Sequence, residues 1–458
     1  MQIKISDFRC FHEQQVVEVR PINLLVGENS AGKTSFLAAT RFIFDLFDRK
    51  SKASFNKEPF HLGAYENIAH YRGGRFGRAD SFSFEVEDVL VASRSRGVEA
   101  DLFGKEDGEN RKIPFKLFIE FSDKKSQPHL REVSFSAGSY GFELRSEERT
   151  NFRVNLPSAK IVDFEPEFPI LSSDYGNLDL SIIEFFLRNI LYDEIESLSD
   201  EDVMSSQGHA RALRSEMSVL GRMYRSALRL LPSGVYSSAP VRSRPERTYN
   251  PSDISQTPDG GHMPFVLAQL NYFDADKWLR IRKSLIEFGR ASGLFQDVVV
   301  KKVGASTGGP FQIIVKMEKR ASNLVDVGYG VSQALPILTD ILRANRKTLF
   351  LFQQPEVHLH PKAQAELGSF FSHMAKSRRH SIFIETHSDH LLDRIRMEVR
   401  EGVVLSPKDV GILYFERIGH DVIIHEISID SSGNLVNAPK GYRQFFLDEE
   451  MRSLGLEI

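Results

Sequence analysis

The run Gly27-Glu28-Asn29-Ser30-Ala31-Gly32-Lys33-Thr34 sets two glycines, a lysine and a hydroxyl at the spacing with which a backbone folds around phosphate. The glycines let the chain turn its N–H groups inward, and a helix beginning at the lysine adds the positive end of its dipole. In such a loop Lys33 neutralises the β- and γ-phosphates and the Thr34 hydroxyl ligates Mg²⁺, while Asn29, Ser30, Ala31, Gly32 and Ser35 line the cradle. An apolar strand, NLLV, precedes the loop and an apolar-periodic stretch follows it, which is the strand–loop–helix context the motif requires. The pattern predicts an ATP site with Mg²⁺.

Three further segments lie some three hundred residues downstream. Leu349–Pro361, LFLFQQPEVHLHP, is an apolar strand that ends in polar residues, where a P-loop sheet presents the groups that handle Mg²⁺ and water. Ser381–Ser388, SIFIETHS, is a second apolar strand ending in a histidine. Asp326–Gln333, DVGYGVSQ, is a small-residue turn followed by an apolar helix, a second anion-binding helix start. Each is weak alone; their order after the glycine-rich loop is specific.

The set GENSAGKTS, GYGVSQALP, PEVHLHP and ETHSDHLL resembles the bacterial ABC-type ATPases of the OLD-like group, relatives of the SMC and RecF-like ATPases that are often grouped simply as AAA-family ATPases. The segments Asp7-Phe8-Arg9 and Tyr236–Tyr249 also fit that group. By this resemblance Gly330, Ser332 and Gln333 are the signature loop that contacts the γ-phosphate of ATP on a partner subunit. His387 is the switch histidine, and Arg9 stands near the base and ribose. Head-to-head homodimers holding two ATPs are implied.

The chain departs from the pattern at Gln353 and Gln354, where relatives carry two acidic residues, one for the Mg²⁺ water shell and one as general base. An amide can orient water but cannot accept a proton at neutral pH, and an anion lost beside Mg²⁺ weakens its support. Two readings stay open. In one, Glu356 serves as base or water-positioning group with Gln354 beside it, and Gln353 retains an indirect part in the metal site. In the other, ATP acts as dimer glue without meaningful turnover. No clear glutamine loop follows the first helix; by resemblance His61–Ile68 replaces it. His358 and His360 lack the carboxylates or thiols that would complete a metal site, so a place at the dimer seam is expected.

The elements that must position these residues follow from periodicity. Strands are expected in QIKISDF, QQVVEVR and INLLVGEN, then a helix from Lys33 to about Phe47. Residues 50–80 read as loop, and 82–155 as an antiparallel β section. Two helices, one carrying Leu180 to Ile195 and one carrying Leu213 to Leu228, read as an inserted hairpin over 178–231. Beyond about residue 294, strands and then helix–strand alternation to 428 predict a largely parallel sheet, and residues 441–456 a short terminal helix. The expected fold class is therefore α/β: an ABC-type P-loop ATPase head with a mixed, mainly parallel core sheet, an antiparallel β section and an inserted helical hairpin. The domain reading is an N-terminal lobe at 1–80, a β-rich section at 81–177, the hairpin at 178–231 and a C-terminal lobe at 232–458.

Composition bounds the rest. The 458 residues, 41% of them hydrophobic, suffice for a large core, and a 26% charged fraction argues against global disorder. One cysteine, Cys10, argues against a disulfide framework and fits a reducing cytoplasm. No stretch approaches the ~20 apolar residues of a membrane span. A net charge of -3 means that any nucleic-acid contact needs a local patch, and the candidates are Arg72, Arg75 and Arg78 with Tyr71 and Phe76, and Arg242, Arg244 and Arg247 before Tyr249. No acidic cluster that would read as a Toprim nuclease follows the last ATPase strand. By resemblance to the ATPase subunits of Septu-, retron- or PARIS-like systems, the leading expectation is a sensor or scaffold of anti-phage defence. It would control a separate Toprim- or HNH-type nuclease and answer to a phage trigger protein or nucleic acid. The rivals are a RecF/SMC-like repair ATPase that binds DNA directly, and an ATP-locked scaffold.

Overall fold

The computed structural model describes residues 1–48, 53–74, 76–91, 112–146, 150–157, 205–251, 255–304, 309–378, 380–439 and 441–442, with the short pieces 105–106, 109–110 and 162–164 and the single residues Ile183 and Met451. The chain divides into two units: residues 1–18, 38–234 and 418–422 in the first, and 19–37, 235–417 and 423–458 in the second.

The first unit is built on antiparallel strands. These are β1 (Gln2–Ser6), β2 (Gln15–Glu18), β4 (Ser81–Val91), β7 (Lys112–Lys124), β8 (Gln127–Ala137), β9 (Tyr140–Ser146), β10 (Thr150–Asn155) and β11 (Val162–Phe164), in the order β11-β10-β9-β8-β7-β4-β1-β2. A small β5–β6 ribbon (Lys105–Glu106, Glu109–Asn110) stands apart from this sheet. Along β7, Phe115, Leu117, Ile119 and Phe121 alternate into the core with the period of two that fixes the face of a strand. The β7–β8 turn uses Lys125 and Ser126, both at positive φ (57° and 60°), the primed geometry that matches strand twist. Phe8, Phe82, Phe84 and Phe121 form the aromatic core, with Phe42 from helix α1 (Lys33–Phe47) against Phe84 and Phe121. Residues 53–74 and 76–80 are largely irregular around the short α2 (Tyr65–Ile68).

The second helix of the expected hairpin is α3 (Ser205–Leu230). Its Leu213, Met217, Leu220, Met223, Tyr224 and Ala227 are buried, and the Tyr224 ring meets Phe135 and Phe142 edge-on at 5.3 and 5.2 Å. The antiparallel sheet thus takes up the apolar stripe. The first helix of that hairpin lies, save for Ile183, outside the described residues, as does most of the expected terminal helix.

The second unit centres on a sheet ordered β12-β16-β17-β3-β18-β19-β20: Val235–Ser238, Leu349–Gln353, Ser381–Glu385, Ile22–Gly27, Val410–Ile418, Asp421–Ile429 and Leu435–Val436. The run from β12 to β18 is parallel throughout. Every residue of β16 and β17 is buried, as a parallel sheet covered on both faces requires. Helices α4 (Met263–Phe273), α5 (Ala275–Ser292), α6 (Tyr329–Arg343), α7 (Pro361–Arg378) and α8 (Asp389–Glu401), with a small sheet of β13 (Asp297–Lys302), β14 (Phe311–Lys316) and β15 (Ala321–Asn323), complete the unit. The pair α4–α5 and the joining of β12 to the parallel sheet have no counterpart in the periodicity reading. The mainly parallel core sheet and the antiparallel section agree with it. Among the described residues no helix is long and apolar enough to cross a membrane.

Candidate functional site: a P-loop at the strand ends

The parallel strands finish together. Gln353 is in register with Glu385, Phe352 with Ser238, and Glu385 with Leu25, two residues short of the loop that starts at Gly27. The carboxyl ends of such a sheet are where ligands bind. The geometry of β3 leaves little choice of residue at Gly27. Its φ is +136°, and a Cβ there would lie 2.5 Å from the carbonyl oxygen of Phe415 on β18. Ser30 and Gly32 also take positive φ, 61° and 87°. Glu28, Asn29 and Ser30 are exposed, Ala31 is buried, and Gly32 and Ser35 are half-buried. The Phe36 amide already closes the first helical bond, to the Gly32 carbonyl at 2.9 Å. The amides of Lys33, Thr34 and Ser35 therefore stand at the open helix start, where the dipole favours an anion.

Lys33 is buried and lies across the loop, its Nζ donating to the carbonyls of Gly27 at 2.8 Å and Glu28 at 2.6 Å. Burial pushes its ammonium below the ordinary lysine value, against the pull of Glu385 and Glu28. Thr34 is exposed, and its Oγ1 donates to Glu385 Oε2 at 3.1 Å and stands 3.4 Å from Oε1. Burial raises the Glu385 carboxyl above the usual carboxylate range, although the Thr34 hydroxyl and Lys33 oppose the shift.

Gln353 is buried, with Nε2 donating to the Ser238 carbonyl at 3.2 Å. Gln354 is half-buried at φ 44°, and its amide donates to the Glu385 carbonyl at 2.8 Å. Glu356 is buried. Its Oε1 accepts from the His387 backbone amide at 2.9 Å. Burial raises its carboxyl, against hydrogen bonds from the His387 amide, its own backbone and the Thr386 hydroxyl and the more distant charge of Arg242. The His387 ring is exposed at the mouth of the site, and partial desolvation together with the Lys33 charge keeps its imidazole below the ordinary value.

Gly330, Ser332 and Gln333 lie in the first turns of α6. Ser332 donates to the Tyr329 carbonyl at 2.8 Å. Gln333 is buried, and its Oε1 accepts from Arg242 Nη1 at 3.4 Å. Gly330 is half-exposed, and a Cβ there would come to 3.0 Å from the His358 carbonyl. Of these three residues it is therefore Gly330 that reaches the surface. His358 packs edge-on against Tyr329 at 5.1 Å, and His360 Nδ1 accepts from the Lys362 amide at 3.4 Å.

One part of the structure thus brings together Lys33, Thr34, Gln353, Gln354, Glu356 and His387. Arg9 lies in the first unit, exposed, at φ 50°, its amide bonded to Ile68 and its carbonyl to His70. Two residues the motif reading did not assign also belong to the site. Glu385 sits inside the SIFIETHS run, and its signal was a lone carboxylate ending an otherwise apolar strand. Arg242 read as part of a basic surface cluster, yet it is buried, with Nε and Nη2 unpartnered, and burial lowers its guanidinium to about 10. Its neighbours are also not a free cationic stripe, since Arg247 is paired with Asp326 at 2.5 Å. In the other cluster Arg78 lies over the Tyr71 ring at 4.8 Å and donates to the Ala69 carbonyl, while Arg72 reaches His12. Arg75 lies outside the described residues.

The residues present fit a nucleoside triphosphate with a divalent cation: open helix-start amides, a buried lysine, an exposed hydroxyl on a carboxylate, and the buried Glu356 carboxylate. This fold and site define a P-loop nucleotide-binding arrangement at the carboxyl ends of a parallel sheet. Sequence comparison points the same way. A family model described as "AAA ATPase domain" matches residues 1–197, and one described as "AAA domain, putative AbiEii toxin, Type IV TA system" matches residues 235–393. Similar solved structures include an Smc head bound to the C-terminal winged-helix domain of ScpA, 8% identical over 93% of this chain and 97% of that one, TM-score 0.43. Another is the Thermotoga maritima SMC head, 10% identical over 93% and 98%, TM-score 0.38. No curated protein matches the chain in sequence.

Proposed function

We propose that the protein binds ATP with Mg²⁺ at the Gly27–Thr34 loop, hydrolyses it slowly, and works as the sensor or scaffold subunit of a bacterial anti-phage system that controls a separate effector nuclease. The observation that carries the ATPase reading is the buried Glu356 carboxylate, held through one oxygen by the His387 amide with the Thr386 hydroxyl close by. A carboxylate so placed can accept a proton from an attacking water, and its raised pKa brings it closer to neutral pH, where a general base works best. Lys33 neutralises phosphate charge, Gln354 and His387 orient water and γ-phosphate, and Gly330 with Ser332 and Gln333 completes the site of a second copy in a homodimer. Mg²⁺, when bound, neutralises phosphate oxygens and screens the charge that develops on them. The description of the second matched family, with its toxin and TA-system wording, supports a role in a toxin-type defence pair.

The scaffold reading without turnover is favoured by one observation: Gln353 is neutral and already hydrogen-bonded to Ser238. Light scattering on Glu356→Gln protein separates assembly from chemistry. Its mass is expected to double on adding ATP and to stay monomeric in Lys33→Ala; a mass indifferent to ATP would contradict the dimer. For the defence role, cells carrying this gene with its neighbouring nuclease gene should resist phage, and Lys33→Ala should abolish the protection. Unchanged protection in that variant would overturn the role of ATP.

A further inference from the structure

The four-residue edge Ser238, Gln353, Glu385 and Gly27 contains one carboxylate, and it is on the wrong strand for the family pattern. The position expected to hold an anion beside the metal is Gln353 on β16. That side chain carries no charge, and its amide is committed to the Ser238 carbonyl at 3.2 Å. Its in-register neighbour on β17 is Glu385. The two strands are adjacent in a parallel sheet, so the two Cα positions lie about 4.8 Å apart. A glutamate is one methylene longer than an aspartate, and from β17 its carboxylate reaches the Thr34 hydroxyl at 3.1 and 3.4 Å.

Chemistry limits what this carboxylate can be for. Glu385 is buried, whereas the hydroxyl it contacts is exposed. A buried carboxylate whose side-chain hydrogen bond is to one neutral hydroxyl is poorly compensated. A divalent cation at the Thr34 hydroxyl would supply compensation beyond that hydrogen bond.

We propose that Glu385 has taken over from position 353 the carboxylate facing the Thr34 hydroxyl, so that the cation accompanying the nucleotide is held between β17 and the P-loop instead of between β16 and the P-loop. The assignment rests on the reading of Gly27–Thr34 as a nucleoside triphosphate site. It gives the paired glutamines a meaning: they mark a carboxylate that has moved one strand over, not one that has been lost.

The test is ATP binding by the full chain, measured calorimetrically in EDTA and in excess Mg²⁺, with Mn²⁺ electron paramagnetic resonance as the direct metal readout. Wild-type protein should bind ATP more tightly with Mg²⁺. Glu385→Gln, which keeps the acceptor for Thr34, should match wild type in EDTA and lose most of the Mg²⁺ gain, roughly 10–100-fold in metal affinity. Adding Gln353→Asp to that variant should restore part of the gain by returning the charge to β16. If Glu385→Gln does not fold, Glu385→Asp is read in its place, and its shorter reach should lower Mn²⁺ occupancy; occupancy equal to wild type would overturn the assignment. ATP binding whose Mg²⁺ gain survives Glu385→Gln would overturn this assignment alone. Wild-type protein that binds no ATP in either buffer would overturn the nucleotide reading and this assignment with it.

Discussion

Each unit of the molecule buries glutamates, and it treats them in opposite ways. In the first unit Glu85, 4% exposed, lies on β4 between Lys4 of β1, at 2.6 Å, and Lys116 of β7. Burial pushes its carboxyl up, but Lys116 and Lys4 outweigh that and hold it below the usual value. In the second unit Glu356 and Glu385, both 6% exposed, have hydrogen-bond donors but no ion pair, and both are raised. Glu85 is flanked by two lysines and lies less deep than the other two, whose carboxyls are held by neutral donors, and the shifts follow that difference. The wider inventory agrees. Among the described residues the first unit buries few polar side chains, such as Thr40, Asp45, His70 and Glu85, around an aromatic core. The second buries Lys33, Ser238, Arg242, Gln333, Gln353, Glu356, Glu385 and Thr386 near one end of its parallel sheet. Perturbed ionisable groups gathered at one strand-end edge, here Lys33, Arg242, Glu356, Glu385 and His387, point to a functional site.

The largest effect expected from this contrast is on chemistry. Glu356→Gln should lower turnover roughly 10²–10⁴-fold, the range for a general base, while ATP binding persists. Next comes Phe121→Ala, which opens the aromatic core of the first unit and should cost about 3–5 kcal/mol in denaturant unfolding. Smaller is Glu85→Gln, expected to cost about 1–2 kcal/mol. That is less than a fully buried pair, because Lys116 reaches solvent, and turnover per folded molecule should not change.

The subtlest prediction is a pair of opposite pH trends in melting temperature. Glu85 has a lowered folded pKa, so its stabilisation is present above its ordinary value of 4.5 and is lost as pH falls through the folded value. The advantage of wild type over Glu85→Gln should therefore shrink on acidification. Glu356 has a raised folded pKa, so its contribution is full below 4.5 and is lost as pH rises through the folded value. Glu356→Gln should therefore gain on wild type as pH rises. Parallel trends in the two variants would erase the distinction drawn between the units.

Much of this was legible in sequence because it depends on local rules. The P-loop could be read from glycine spacing plus strand and helix context, and the buried parallel strands from LFLFQ and SIFIE, which are apolar without alternation. What stayed hidden depends on register and burial. That Glu385 stands beside Gln353 follows from the pairing of β16 with β17, which no one-dimensional spacing encodes. Arg242 looked like surface charge because PVRSRPE has the composition of a loop, and only the packing around Gln333 and Glu356 puts it inside. Helix α4 escaped because it is apolar around most of its surface and gives little periodic signal, whereas α5 carries a helical stripe of Trp278, Ile281, Leu285 and Phe288 that was legible and not read.

The central claim is that the strand-end carboxylates run ATP chemistry despite the paired glutamines. Phosphate release under steady state, measured for wild type, Lys33→Ala and Glu356→Gln at matched protein folding, tests it most directly. The account predicts slow but Mg²⁺-dependent release in wild type, and none above background in either variant. Release by Glu356→Gln equal to wild type, or a wild type that retains ATP without ever cleaving it, would contradict the account.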